Sequence, residues 1–169
     1  PGQRRVYSRS TQAHNTVTVD GEDQCEFWDA FRMGRRARVT EKNYQKSETG
    51  FRLSGRHDGY RHLAGCPVHE RTFDVESGDI RVEDEVKGGG GQRVEARLLL
   101  HPECSVEMAT EDIEISCGDI NVVLETNATV SLRDAVWFPN FGVERSCKQI
   151  ILRYGEAPCS GGFRLVRRS

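Results

Sequence analysis

The stretch DIEISCGDINVVLE, residues 112–125, decides the fold class. Apolar Ile113 and Ile115 alternate with polar neighbours, and a second apolar run follows Ile120. This period of two residues is typical of a β-strand that buries one face. Gly118-Asp119 separates the two halves, and a glycine there adopts the positive φ of a hairpin turn at little cost. The stretch is therefore predicted to form a tight β-hairpin.

The same alternation recurs along the chain, whereas helical periodicity is almost absent. We therefore predict an all-β fold, an antiparallel β-sandwich of about a dozen short strands that forms a single domain over residues 1–169. One segment, EFWDAF (26–31), has helical spacing, because Phe27, Ala30 and Phe31 share a helical face. The predicted strands are 16–20, 33–43, 50–56, 68–75, 79–87, 93–101, 104–109, 112–117, 120–125, 129–133, 147–154 and 162–167.

Composition limits the possible partners. No apolar run approaches the ~20 residues that a membrane-spanning helix needs. The basic side chains are scattered and the isoelectric point is about 6.3, which argues against nucleic-acid binding. Residues 1–62 carry twelve basic and eight acidic side chains, whereas residues 76–129 carry four basic and thirteen acidic ones. The first part of the chain is therefore expected to face an anionic partner.

Few residues suggest chemistry by themselves. The six cysteines have no metal-ligand spacing, and we expect them to be reduced because a domain of this size does not need disulfides. The Gly88–Gly91 run is interpreted as a flexible hairpin loop, since no phosphate-binding motif follows it. His57 and Tyr60 flank a turn; they could form an acid/base pair there, but solvated turn residues are the commoner outcome. His69 and His101 border strands and are expected to be surface or satisfied interior residues. Phe27, Trp28 and Phe31 should anchor a core rather than stack on sugars.

His14 lies just before the predicted strand 16–20, and two interpretations are open. It is either a polar residue that bonds nearby backbone, or one arm of a metal or substrate site whose partners come from elsewhere.

Four segments carry a family resemblance. RSTQAHNTVTVDGEDQCEFWDAFRMGRRARV (9–39) is the specific one, and HDGYRHLAGCPVHERTF (57–73), ARLLLHPE (96–103) and WFPNFG (137–142) are looser. Together they resemble the C-terminal β-rich part of the heparinase II/III-like polysaccharide lyases and their alginate-lyase relatives. The resemblance implies a protein in which an N-terminal (α/α) toroid and antiparallel β-sheets enclose a sugar chain. Such enzymes cleave uronate-containing polysaccharides by β-elimination.

The resemblance also implies a role for two residues. In the family, a metal (usually zinc) is held by one histidine of a His-x-His segment, an aspartate and the histidine of AHNT. Of these, this chain has only His14, so His14 is expected to be the third ligand in the intact enzyme, and no metal is expected in this chain alone. Arg9 is a weaker candidate for holding a uronate carboxylate, the alternative being a salt bridge on the sheet rim.

The resemblance therefore implies the C-terminal β-sandwich region of a uronate-polysaccharide lyase. Its partners would be an anionic polysaccharide and its own toroid, and it would be inactive alone. The parent protein is expected to be periplasmic or secreted. The alternative is a non-catalytic carbohydrate-binding or scaffolding β-sandwich module.

Overall fold

The computed structural model describes residues 2–28, 31–109 and 113–168. One helix and a 3-10 turn precede twelve strands. The elements are α1 Gln3–Arg9, the 3-10 turn Thr11–Ala13, β1 Val17–Val19, β2 Val39–Lys46, β3 Phe51–His57, β4 Val68–Glu76, β5 Asp79–Lys87, β6 Arg93–Leu99, β7 Cys104–Met108, β8 Ile113–Cys117, β9 Ile120–Glu125, β10 Thr129–Trp137, β11 Arg145–Glu156 and β12 Cys159–Arg167.

The strands form two antiparallel sheets, as the alternation predicted. The smaller sheet has the order β1-β6-β11-β10, and the larger has the order β2-β3-β4-β5-β12-β9-β8-β7. The core contains side chains of both sheets, with Val17, Val94 and Leu152 from the smaller and Val82 and Leu124 from the larger. Burial of such aliphatic side chains is the main force that holds two sheets face to face.

All twelve predicted strands exist, and three of them have a bound that differs by three residues or more from the predicted one. β2 begins at Val39 rather than at residue 33, β10 extends to Trp137, and β12 begins at Cys159. Gly161, in the part of β12 that precedes the predicted strand, has a packing reason. A Cβ on Gly161 would lie 2.1 Å from the ring of Tyr154. Glycine is therefore needed here so that the tyrosine can lie flat on the strand.

The predicted helical turn at 26–31 is wrong for the residues that are described; Asp29 and Ala30 lie outside them. Phe27 and Met33 form an antiparallel bridge. The N–H of Gly34 donates to the carbonyl of Glu26 at 2.9 Å, and the N–H of Trp28 donates to that of Arg32 at 3.2 Å. The segment is therefore a small hairpin, because its backbone groups pair across the turn instead of along a helix.

Helix α1 was not foreseen, since none of its residues is buried and it has no apolar stripe. Its side chains contact the loop between β10 and β11. Arg4 forms a salt bridge with Glu144 at 2.5 Å, and the rings of Tyr7 and Phe138 lie 6.2 Å apart.

Part of the outer face of the smaller sheet, at β6, is covered, which the alternation in β6 did not indicate. Val94 and Ala96 face the core as expected, yet Glu95 and Arg97 on the opposite face are only 3% and 5% exposed. These two form an ion pair at 3.0 Å, and Gln149 beside them donates to the carbonyl of Gln12 at 2.8 Å. The segment around Gln12 therefore covers this part of the outer face.

The Gly88–Gly91 run is not a flexible hairpin loop, because β5 and β6 belong to different sheets. It is a crossing between the sheets with fixed contacts. The N–H of Gly89 donates to the carbonyl of Gly65 at 2.9 Å, and the N–H of Gly91 donates to that of Ala157 at 3.0 Å. Gly89 has a φ of 105° and would place a Cβ 2.7 Å from Ala157, so only glycine fits.

Candidate functional site

His14 lies in a short extended segment between the 3-10 turn and β1. Its N–H donates to the carbonyl of Thr11 at 3.1 Å, and its own carbonyl accepts the N–H of Thr16 at 2.9 Å. The residue itself is exposed. The backbone of His14 is thus fixed on both sides while its imidazole remains accessible.

The next residue, Asn15, ties this segment to both sheets. Its side-chain Oδ1 accepts the N–H of Leu99, at the end of β6, at 2.7 Å. Its carbonyl accepts a hydrogen bond from Nη1 of Arg71, on β4, at 2.7 Å. Because β6 and β4 belong to different sheets, Asn15 is held between them, and the position of His14 depends on both.

Arg71 reaches Asn15 from a bidentate pair with a buried carboxylate. Its Nε lies 2.7 Å from Oδ1 of Asp84, and its Nη2 lies 2.9 Å from Oδ2. The side chain of Asp84 is 0% exposed and that of Arg71 is 11% exposed. Two parallel N–H···O bonds fix the plane of the guanidinium, so the third nitrogen points in one direction only. We call Arg71 and Asp84 the clamp.

Two further groups donate to Asp84. His69 Nε2 lies 2.7 Å from Oδ1, and the hydroxyl of Tyr154 donates to Oδ2 at 3.0 Å. Burial opposes ionisation of Asp84, but the hydrogen bonds from His69 and Arg71 outweigh it and lower its pKa to about 2. The same carboxylate, together with burial, raises the pKa of Tyr154, so the tyrosine stays a donor.

His57 extends this network, and each hydrogen bond in it has a defined donor and acceptor. The N–H of Gly59 donates to His57 Nδ1 at 3.1 Å, which leaves the proton of the neutral ring on Nε2. That nitrogen lies 3.0 Å from His69 Nδ1 and donates to it, so His69 carries its proton on Nε2, toward Asp84. Burial, reinforced by the neighbouring His69, lowers the pKa of His57 to about 4. Both tautomers follow from the geometry.

The expectation that His57 and Tyr60 are solvated turn residues is wrong. Tyr60 is 0% exposed, and its hydroxyl donates to the carbonyl of Val17 in β1 at 2.5 Å. The loop after β3 folds inward over the edge strand β1, because this bond satisfies a carbonyl that no further strand pairs with. His69, by contrast, is a satisfied interior histidine, one of the outcomes expected for a residue at a strand border.

Arg9 lies at the end of α1, with its guanidinium carbon 4.0 Å from the ring centre of Phe27. One turn earlier, Arg5 lies 5.0 Å from the ring centre of Phe31. Both arginines make additional contacts. The helix therefore lies on the 27–33 hairpin through two cation–π pairs. The contact of Arg9 with a uronate carboxylate stays a prediction, and so does its alternative, a salt bridge on the sheet rim.

The aromatic residues of this hairpin do not anchor the core as expected. Trp28 is 66% exposed and Phe31 is 90% exposed, because the hairpin lies outside both sheets. Phe141, in the loop that Arg4 ties to α1, is fully exposed. We call Trp28 and Phe31 the aromatic surface; exposed apolar groups of this size commonly mark a binding region.

A model of the domain described as "Heparinase II/III-like, C-terminal" matches residues 1–162. The chain belongs to the heparinase II/III-like family. No match was found among curated proteins.

Solved structures of heparinases share the fold of this C-terminal domain. Heparan sulfate lyase HepC from Pedobacter heparinus matches with a TM-score of 0.76 at 11% identity, and a mutant of it matches with 0.73 at 12%. A heparinase III gene product matches with 0.76 at 14%. Each match covers 99% of this chain and 26% of the other, so the chain spans about a quarter of the length of those proteins.

The described residues of this C-terminal domain do not make a zinc site by themselves. They contain no group of three or more His, Cys, Asp or Glu side chains that could hold a metal ion. The ring nitrogens of His69 and Nε2 of His57 are used in hydrogen bonds. The accessible His14 supplies one imidazole, whereas zinc takes about four ligands. Among the described residues, no helix is long and apolar enough to span a membrane.

Sequence reasoning found His14 and missed the clamp that holds it. One signal was available, because β4 and β5 flank a turn at Ser77-Gly78. A hairpin closed at that turn places Arg71 opposite Asp84, which is the observed register. The pairing of His57 with His69 had no such signal, since a loop of ten residues separates β3 from β4.

Proposed function

We propose that this chain is the C-terminal β-sandwich region of a polysaccharide lyase that cleaves uronate-containing chains by β-elimination. In this proposal the domain has no lyase activity alone, because the residues that remove the C5 proton belong to the rest of the parent protein. The family membership and the quarter-length overlap with heparan sulfate lyase structures support it. A periplasmic or secreted location of the parent protein is part of the proposal.

The observation that carries the proposal is the clamp beneath His14. A histidine that merely bonded local backbone would not need a neighbour, Asn15, that is held by both sheets. Nor would it need a buried ion pair whose arginine donates to the carbonyl of Asn15. Burying a carboxylate is costly unless it is fully paired. An exposed imidazole on a rigid support is the arrangement expected of a metal ligand, whose supporting contacts fix its position.

In the proposed parent enzyme, His14 supplies one ligand to zinc, and the other ligands come from outside this chain. The zinc would tie the segment of His14 to the strand that carries the catalytic histidine. What this chain contributes is position: Asn15 and Arg71 hold the backbone of His14 in place before the ion binds. Preplacement lowers the entropy lost on binding, so the clamp should raise the affinity for metal.

The test compares the full-length parent lyase with its His14→Ala variant, measuring metal content, melting temperature and release of unsaturated sugar. We expect metal content and melting temperature to fall together, because metal bound to the native state adds to its stability. His62→Ala, another exposed histidine, is the matched control and should keep both. Retention of metal and stability with loss of turnover would instead make His14 a catalytic or substrate residue.

A second function, a carbohydrate-binding module, is favoured by the aromatic surface. Trp28 and Phe31 are exposed beside the arginines of α1, and sugars stack on aromatic rings while their carboxylates or sulfates pair with arginine. Calorimetric titration of this chain with heparan sulfate and with alginate distinguishes the two functions. Tight binding that Trp28→Ala abolishes would favour the module. No binding by the chain, with activity of the parent lyase intact, would favour the lyase region.

A further inference from the structure

We propose that Cys104 and Cys117 form a structural disulfide that staples the β7–β8 hairpin at the edge of the larger sheet. The two residues are direct cross-strand partners in this hairpin. Among the strand pairings of the described residues, no other cysteine faces a cysteine: Cys147 lies opposite Ala135, and Cys159 lies opposite Val86.

The hydrogen-bond pattern identifies the type of cross-strand pair. Cys117 and Ile120 close the two-residue turn Gly118-Asp119, and the φ of 58° at Gly118 suits a turn with glycine first. The carbonyl of Cys117 therefore points toward β9, and so does its N–H, because both backbone groups of a strand residue point to the same side. On the opposite strand, the N–H of Cys104 donates to the carbonyl of His101 at 2.9 Å and not to Cys117.

Cys104 and Cys117 are thus a non-hydrogen-bonded pair, the kind in which the strands approach most closely. Cα atoms in such pairs lie about 4.5 Å apart. A disulfide requires a Cα separation of about 4.4–6.8 Å, so the bond can form without moving the backbone. Both cysteines are half-buried, so a small oxidant can reach them.

The reaction needs a small-molecule disulfide such as oxidised glutathione. One cysteine thiolate attacks a glutathione sulfur, which forms a mixed disulfide and expels one glutathione thiolate. The second cysteine loses its proton, attacks the protein sulfur of the mixed disulfide and expels the other thiolate. The two protons end on the two glutathiones, and the two electrons lost by the cysteines reduce the reagent.

The environment of Cys104 predicts how the rate depends on pH. Burial and the adjacent Cys117 raise the pKa of the Cys104 thiol to about 11. Since the thiolate is the reacting form, coupling should be slow at pH 7 and faster at pH 9. A disulfide that forms this slowly suits a structural bond made once in an oxidising compartment.

The experiment incubates the 169-residue chain with oxidised glutathione at pH 8.5, removes the reagent, unfolds the chain and alkylates it. We expect the mass to fall by two hydrogens, two of the six thiols to resist alkylation, and digestion to release the peptides of Cys104 and Cys117 linked. For a loop of this size the melting temperature should rise by about 6–12 °C, and a reductant should reverse the rise.

Cys66→Ser, which removes an exposed cysteine elsewhere, is the matched control and should form the same linked pair. Cys104→Ser should prevent the loss of two thiols. Recovery of Cys104 and Cys117 both alkylated after oxidation, or linked to other cysteines, would overturn the proposal.

Discussion

The clamp makes a sharp prediction when one of its members is removed. Replacing Arg71 with methionine keeps the length of the side chain but removes the bidentate bonds to Asp84 and the bond to Asn15. The carboxylate of Asp84 then remains 0% exposed with its charge unpaired. The perturbation is therefore an uncompensated buried charge as well as a lost contact.

The magnitude follows from what still contacts Asp84. Breaking a buried ion pair by removing one partner costs about 3–5 kcal/mol. His69 and Tyr154 continue to donate to Asp84, so we expect the lower end, about 3 kcal/mol, or roughly 6–12 °C in melting temperature for a chain of this length. Adding Asp84→Asn to Arg71→Met should recover about 1–2 kcal/mol, because it removes the stranded charge and keeps an acceptor for His69.

Urea unfolding at pH 7 measures both values. The matched control is Arg52→Met, since Arg52 pairs with Asp74 at 2.8 Å between the neighbouring strands β3 and β4, with both side chains half-exposed. That exposed pair should contribute at most about 0.5–1 kcal/mol. The reasoning fails if Arg71→Met costs no more than Arg52→Met, or if Asp84→Asn destabilises the Arg71→Met protein further.

Two other predictions concern acid and packing. The pKa of His57 is about 4 in the fold and about 6.5 when unfolded, so the unfolded state binds more protons between these values and stability should fall by up to about 3 kcal/mol as the pH drops from 6.5 to below 4. The lowered pKa of Asp84 acts in the same direction between about pH 4 and pH 2. Unfolding curves from pH 8 to 2 should show both phases, and His57→Gln should remove only the upper one. Gly161→Ala, which puts a methyl group into the ring of Tyr154, should lower the free energy of unfolding by about 1–3 kcal/mol, measured by thermal unfolding. In the control Gly90→Ala the new Cβ would meet no atom closer than 4.0 Å, so stability should change by less than about 0.5 kcal/mol. Equal effects of the two substitutions would refute the packing argument.

The strands were predictable because each carries its own signal. In β8 and β9 the alternation and the Gly118-Asp119 turn are local, so the hairpin forms where the sequence pattern puts it. Asp20 and Gly21 also form a turn, with φ values of 54° and 75°. It does not close a hairpin, however, since β1 pairs with β6, far along the chain.

The elements that the sequence did not reveal depend on distant partners. Helix α1 has no apolar stripe that would predict it; it is held instead by its arginines, which lie on the rings of Phe27 and Phe31. The 27–33 hairpin that carries these rings has aromatic residues at helical spacing, so its sequence favoured a helix. For the candidate site, the AHNT motif located His14. Its support through Arg71 required knowing that β4 and β6 meet from different sheets at Asn15.

The position of β12 in the larger sheet constrains how the protein folds. β2 to β5 follow one another as a meander, and so do β7 to β9, while β12 lies between β5 and β9 and pairs with both. During synthesis, each meander can therefore form early, but the two cannot join until residues 159–167 have left the ribosome. Until then β5 and β9 both present unpaired edges, which makes this interval the point of greatest exposure to aggregation. A ribosome stalled just before Cys159 should hold two separate ribbons rather than an eight-stranded sheet.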